Sequence, residues 1–168
     1  MSRDERAGRN AGGATAPAVH LADPHGAAPP ASPNITVFRC VSCARADTAG
    51  TVAVREIVLP CSGRLQPEHF LKAFETGADL VLILTCGDGD CRYLEGHGRV
   101  QRRVDYVRGL LDEVGLGRER LVVLESHARS DGGTDATEQS DMIHEALAAA
   151  LVGLAPNPLG RSSDEGVG

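Results

Sequence analysis

The run ADLVLILT, residues 78–85, limits the fold more than any other stretch of the chain. Its apolar positions follow one another without the alternation of a strand that has one face in water. A short, uniformly apolar strand is covered on both faces, which is the situation of a parallel sheet between layers of helix. The flanking patterns agree. NITVFR (34–39), VAVREIVL (52–59, ended by Pro60) and RLVVLES (120–126) read as further strands. QPEHFLKAFETG reads as a helix: Pro67 suits its first turn, Phe70, Leu71 and Phe74 give it one apolar face, and Gly77 suits its stop. In RVQRRVDYVRGLLDEVG, the residues Val100, Val104, Val107, Leu111 and Val114 recur at helical steps up to Gly115. The last helix is expected at about 136–154. Asp135 and Glu138 stand at capping-box spacing, and Met142, Ile143, Ala146, Leu147, Ala150 and Leu151 form its inner stripe.

A short helix after the first strand would complete the alternation. The pattern predicts an α/β fold: a four-stranded parallel sheet, helices on both faces, right-handed crossovers and a flavodoxin-like strand order of 2-1-3-4. The ends do not share it. Ala, Pro and Gly fill 18 of residues 1–33, which predicts a disordered N-terminal arm. APNPLGRSSDEGVG (155–168) predicts a flexible tail, leaving 34–154 as the folded domain.

Charge and composition remove several functions. The net charge is −6 and there is no Trp, so nucleic-acid binding lacks both a basic footprint and its best stacking platform. No run approaches the ~20 apolar residues of a membrane span. The first residues carry charge without the apolar core of a signal peptide, so the expected compartment is the cytoplasm. Disulfides are rare there. The five cysteines therefore point to metal, redox chemistry or burial.

Their placement narrows the choice. Cys40, Cys61 and Cys86 follow the first, second and third strands, and Cys43 and Cys91 lie in the same loops. In a parallel sheet all five gather at the carboxyl edge, where open α/β sheets hold ligands. CVSC (40–43) and the four-residue gap of CGDGDC (86–91) suit a structural zinc site. They equally suit an iron–sulfur cluster, with Gly87 and Gly89 letting the backbone approach inorganic sulfide. CVSC after a strand also matches a thiol–disulfide oxidoreductase using Cys40 and Cys43, a reading that leaves the other three unused. Spacing alone does not separate these.

The residues also carry a family resemblance. Cys-Ser-Gly-Arg at 61–64, the Pro67 helix with LKAFE, Gly-Ala-Asp at 77–79 and the Cys86/Cys91 loop ending in Tyr93 resemble the delta subunit of methyl-viologen-reducing hydrogenase. The Cys40/Cys43 pair and Arg-Arg-Val at 102–104 fit as well, so the likeness spans roughly 35–125. It implies an iron–sulfur subunit with a [2Fe–2S] cluster. Such a protein passes electrons from a hydrogenase or formate dehydrogenase to a heterodisulfide reductase-type flavoprotein. The chain departs from the family at Gly87 and Arg92, where histidine is usual, at Val41 and Ser42, where an aromatic is common, and in a shorter segment after Cys43.

Four thiolates hold one [2Fe–2S] cluster. Pairs close in sequence close the shortest loops, which favours Cys40, Cys43, Cys86 and Cys91 as ligands with Cys61 beside them. Asp88 and Asp90, in the ligand loop, would lower a cluster's potential or simply form a solvated turn. Arg64 and Arg92 flank the same edge, and His97 and His127 are alternative ligand types there.

Overall fold

The computed structural model describes residues 33–43, 45, 53–87, 91–126 and 136–160. Apart from Pro33, the expected N-terminal arm lies outside the described residues. So do the short helix after the first strand, Asp88, Gly89, Asp90, His127 and Asp135.

Four strands, β1 (Asn34–Cys40), β2 (Ala53–Leu59), β3 (Leu80–Thr85) and β4 (Leu121–Glu125), form one sheet in the order β2-β1-β3-β4. Every pairing is parallel. The helices are α1 (Pro67–Glu75), α2 (Gly96–Glu113) and α3 (Ala136–Leu151). The α/β architecture and the 2-1-3-4 order expected from the pattern are the ones found.

Strand periodicity builds two cores on opposite faces of the sheet. Leu80, Leu82 and Leu84 of β3 join Ile35 and Val37 beneath Ile143 and Leu147 of α3. Val81 and Ile83 join Phe38 and Leu121 beneath Phe70 and Phe74 of α1 and Val100, Val104, Val107 and Leu111 of α2. All six residues of β3 are buried, as its unbroken apolar run requires. Phe38 meets Phe70 edge-on, with centroids 6.0 Å apart, a favoured aromatic geometry.

Several details differ from the pattern. Met142 and Val114, expected on inner faces, are exposed. Ile143 and Leu147 suffice to cover the sheet, and Val114 is already past the last turn of α2. Helix α2 begins at Gly96, three residues before Arg99, because glycine-rich EGHG gives no helical signal of its own. Residues 155–160, placed by composition in a flexible tail, pack at the amino edge of the sheet. Buried Asn157 donates from Nδ2 to the carbonyls of Phe74 and Ala78, 2.8 Å each. Its N–H reaches Asp79 Oδ1 at 2.7 Å, while Asp79 Oδ2 takes the N–H of Asn34 at 2.8 Å. Arg120 closes the group, donating to the carbonyls of Leu116, Asp79 and Ala155 at 2.6, 3.0 and 2.8 Å. That edge is fixed by polar contacts, and the opposite edge is left for the thiols.

Candidate metal centre

Parallel pairing puts the strand ends side by side, and each end delivers a cysteine. Cys40 is the last residue of β1 and Cys86 follows β3, its hydrogen-bonded neighbour. Cys61 follows Pro60 at the end of β2 and opens a 3₁₀ turn, Ser62–Arg64. Cys43 lies at the end of a turn in which its N–H meets the Cys40 carbonyl at 3.0 Å. Cys91 lies just ahead of α2. All five are free and buried.

The sulfurs fall into two sets. Cys86 Sγ is 3.7 Å from Cys40 Sγ and 4.0 Å from Cys43 Sγ, and these three lie within 4.8 Å of one another. Cys61 and Cys91 make a separate pair at 3.9 Å. Sulfurs sharing a tetrahedral metal at about 2.3 Å stand about 3.8 Å apart, so each contact has the length of one such edge. The close contacts cross between loops. Cys86 faces the β1 loop because β1 and β3 are adjacent. Cys91 faces Cys61 because α2 packs on the turn that Cys61 opens.

Backbone donors already point at two of these sulfurs. The N–H of Ser42 reaches Cys40 Sγ and that of Gly63 reaches Cys61 Sγ, both at 3.4 Å. Such contacts favour negative sulfur. Cys43 donates to the Leu84 carbonyl at 3.4 Å, and Cys40 also donates to that of Pro60 at 3.6 Å. Burial raises the pKa of Cys43 well above the ordinary thiol range, and the neighbouring Cys86 and Cys40 add to it. Burial, and then the hydrogen bond with Cys40, pushes Cys86 up to about 11. Cys61 is also raised by burial, against the pull of the Gly63 N–H. Burial therefore favours the neutral form of Cys43, Cys61 and Cys86, and binding a metal through such thiols means releasing protons.

Two arginines absent from the sequence-based candidates hold the frame. Arg39 pairs with Glu56 across β1 and β2 at 2.6 Å and reaches the carbonyls of Cys40 and Cys43 at 3.5 Å. Arg103 of α2 donates to the carbonyls of Gly63 and Leu65 at 2.7 Å each, tying the turn of Cys61 to the helix. The Arg-Arg-Val at 102–104 was the available signal for Arg103.

The other candidates are placed around the thiols. Gly87 is buried beside Cys86. Exposed Tyr93 divides two clefts. One, of about 130 Å³, reaches Cys40 and Cys91 beside Arg92. The other, of about 310 Å³, reaches Cys61 beside Arg64 and Arg99. His97 is turned to other work, with Nδ1 3.4 Å from Thr85 Oγ1 and Nε2 3.3 Å from Glu125.

An all-parallel α/β domain with five free thiols at its carboxyl edge defines the class: a cysteine-based metal or redox module. The family follows from comparison with known proteins. Residues 35–148 match the family model of the methyl-viologen-reducing hydrogenase delta subunit, and the chain belongs to that family. It is 43% identical over 98 residues to the iron-sulfur subunit of the vhc F420-non-reducing hydrogenase of Methanococcus voltae, covering 54% of this chain and 68% of that one. It is 33% identical over 136 residues to the iron-sulfur subunit of the vhu F420-non-reducing hydrogenase of Methanocaldococcus jannaschii, covering 76% of this chain and 96% of that one. It also resembles 13% of a longer protein, one of the subunits of the ferredoxin:CoB-CoM heterodisulfide reductase of Methanosarcina mazei, at 34% identity over 100 residues and 55% of this chain. Among the described residues no helix is long and apolar enough to cross a membrane.

Proposed function

We propose that this chain is a cytoplasmic electron-transfer subunit holding one [2Fe–2S] cluster at the carboxyl edge of its sheet. It relays electrons from a hydrogenase- or formate-dehydrogenase-type module to a heterodisulfide reductase-type flavoprotein. Bound there, the cluster supplies one-electron chemistry. The chain supplies thiolates, N–H donors and a dry seat.

The observation that carries this reading is the division of the thiols. A single tetrahedral metal held by four cysteines needs four sulfurs mutually close. No fourth sulfur lies within 4.8 Å of Cys40, Cys43 and Cys86 together. A dinuclear cluster needs two pairs, one for each iron. Cys61 with Cys91 is one pair. The other comes from the remaining three, and the 3.7 Å contact of Cys40 with Cys86 favours those two. Cys43 is then the spare thiol. This replaces pairing within loops by pairing between them. The likeness to part of a heterodisulfide reductase chain supports contact with a protein of that kind, since there the two are one polypeptide.

The three-thiol group favours zinc as the second reading, in an interaction module. A thiol–disulfide function of Cys40 and Cys43 is disfavoured, because both are buried and burial raises the pKa of Cys43, where such chemistry wants an accessible thiol of lowered pKa.

Anaerobic purification with iron, sulfide, zinc and visible absorption measured on one sample tests the proposal. About two irons and two sulfides per chain are expected. Colourless protein with about one zinc overturns it.

A further inference from the structure

Two glycines meet under the Cys61–Cys91 pair. A Cβ on Gly96, the first residue of α2, would lie 2.6 Å from Cys61 Sγ and 2.7 Å from Cys91 Sγ. A Cβ on Gly63 would lie 2.7 Å from the Gly96 Cα and 3.4 Å from Cys61 Sγ. Carbon and sulfur do not approach so closely, so a side chain there has to displace the sulfurs themselves. Backbone conformation is not the reason for glycine here, since neither residue is among those with positive φ. Space alone is the reason. Both sulfurs rest on the bare backbone of Gly96.

The seat is held from both sides. Arg103, two turns into α2, grips the carbonyls of Gly63 and Leu65 and draws the Cys61 turn onto the helix start. The Cys91 carbonyl accepts the N–H of Leu94, folding the other approach into a turn ahead of Gly96. The first N–H groups of a helix have no partner within it. The sulfurs therefore stand at the positive end of an 18-residue helix. Gly98, two positions past the contact, would carry a Cβ with only Arg102 nearby, at 3.8 Å, and one on Gly109 would meet nothing within 4 Å.

We propose that Gly96 is a positioning residue for the metal centre: with Gly63 it forms a side-chain-free seat that fixes the Cys61–Cys91 pair at the start of α2. This rests on the cluster reading for its meaning, because the seat sets the separation and electrostatics of one iron's two ligands. The seat itself is a property of the chain. A side chain at 96 drives the sulfurs off the helix start, leaving Cys40, Cys43 and Cys86 as they are.

The test compares the full chain with Gly96→Ala, Gly63→Ala and Gly109→Ala. In metal-free, reduced protein, the alkylation rate of each cysteine is followed by peptide mapping. Cys61 and Cys91 are expected to react several-fold faster in Gly96→Ala and Gly63→Ala, with Cys40 and Cys43 unchanged and Gly109→Ala like the parent. In anaerobically loaded protein, Gly96→Ala is expected to shift the electron paramagnetic resonance of the reduced cluster and lower its midpoint potential. Unchanged alkylation with an unchanged resonance and potential overturns the seat. So does loss of fold in both Gly96→Ala and Gly63→Ala by circular dichroism, which would make these glycines general to the domain. Selective quickening of Cys61 and Cys91 in the two variants, when the anaerobically purified parent holds no iron, keeps the seat and removes the cluster reading.

Discussion

At the scale of single residues the five cysteines are not equivalent. Cys40 and Cys61 receive backbone N–H groups, and Cys40 and Cys43 each give a proton to a carbonyl, that of Pro60 and that of Leu84. Their replacement by serine should therefore differ. Cys61→Ser is expected to lose the cluster, with iron falling from about two per chain toward zero, and Cys43→Ser to keep it. Iron and sulfide assays on the two variants decide this, and the reverse result restores ligation within loops. The gathering of the thiols at one edge was legible in the sequence, because a parallel sheet fixes where strand ends point. The partition among them was not. It depends on which strands are neighbours and on how α2 meets the Cys61 turn, and loop length carries neither. A second residue-scale expectation concerns charge. Changing both Asp88 and Asp90 to Asn should raise the midpoint potential if those carboxylates face the cluster, and an unchanged value in a redox titration would mean a solvated turn.

At the scale of elements, the two ends of the sheet are built differently. The amino edge is locked by Arg120, Asp79 and Asn157. Arg120 is buried, and its three carbonyl acceptors come from the α2–β4 connection, the start of β3 and the segment after α3. Removing it leaves buried carbonyls unpaired, at about 1–3 kcal/mol each where water does not reach them. Arg120→Met is expected to lower the unfolding free energy by roughly 3 kcal/mol, read from urea denaturation at constant m. At the carboxyl edge, Arg103→Met removes the clamp on the Cys61 turn. It should cost roughly 1–2 kcal/mol and quicken alkylation of Cys61. An equal change at all five thiols would mean that the whole domain had loosened. These locks explain what the sequence concealed. Apolar periodicity marked the strands and helices well because burial decides them. The docking of 155–160 rests on Asn157 and on the Ala155 carbonyl that Arg120 reaches, in a proline- and glycine-rich stretch, and such composition ordinarily marks free chain. The early start of α2 at Gly96 lies in the stretch EGHG, whose glycines give no helical signal.

At the scale of the whole molecule, burial joins the fold to the site. The domain encloses its thiols within the same core that holds α3 to the sheet, so folding and thiol ionisation are linked. Burial raises Cys86 from 9.0 to about 11, and raises Cys43 and Cys61 in the same direction. Below the unfolded-state pKa these thiols are neutral in both states and the stability is fully present. Between about pH 9 and 11 the unfolded chain releases protons that the folded metal-free chain retains. The folded state then binds more protons, so stability falls as pH rises. Cys86, Cys43 and Cys61 all act in this direction, so Tm falls across the range. Loading removes the dependence over this range, because the bound ligands are already thiolates and there is no proton left for the folded state to keep. Calorimetry of metal-free and loaded protein across this range is expected to show a falling Tm for the first and a nearly level one for the second. Parallel curves would mean that the thiols ionise freely in the folded chain, and that the enclosed centre described by the geometry is open to water.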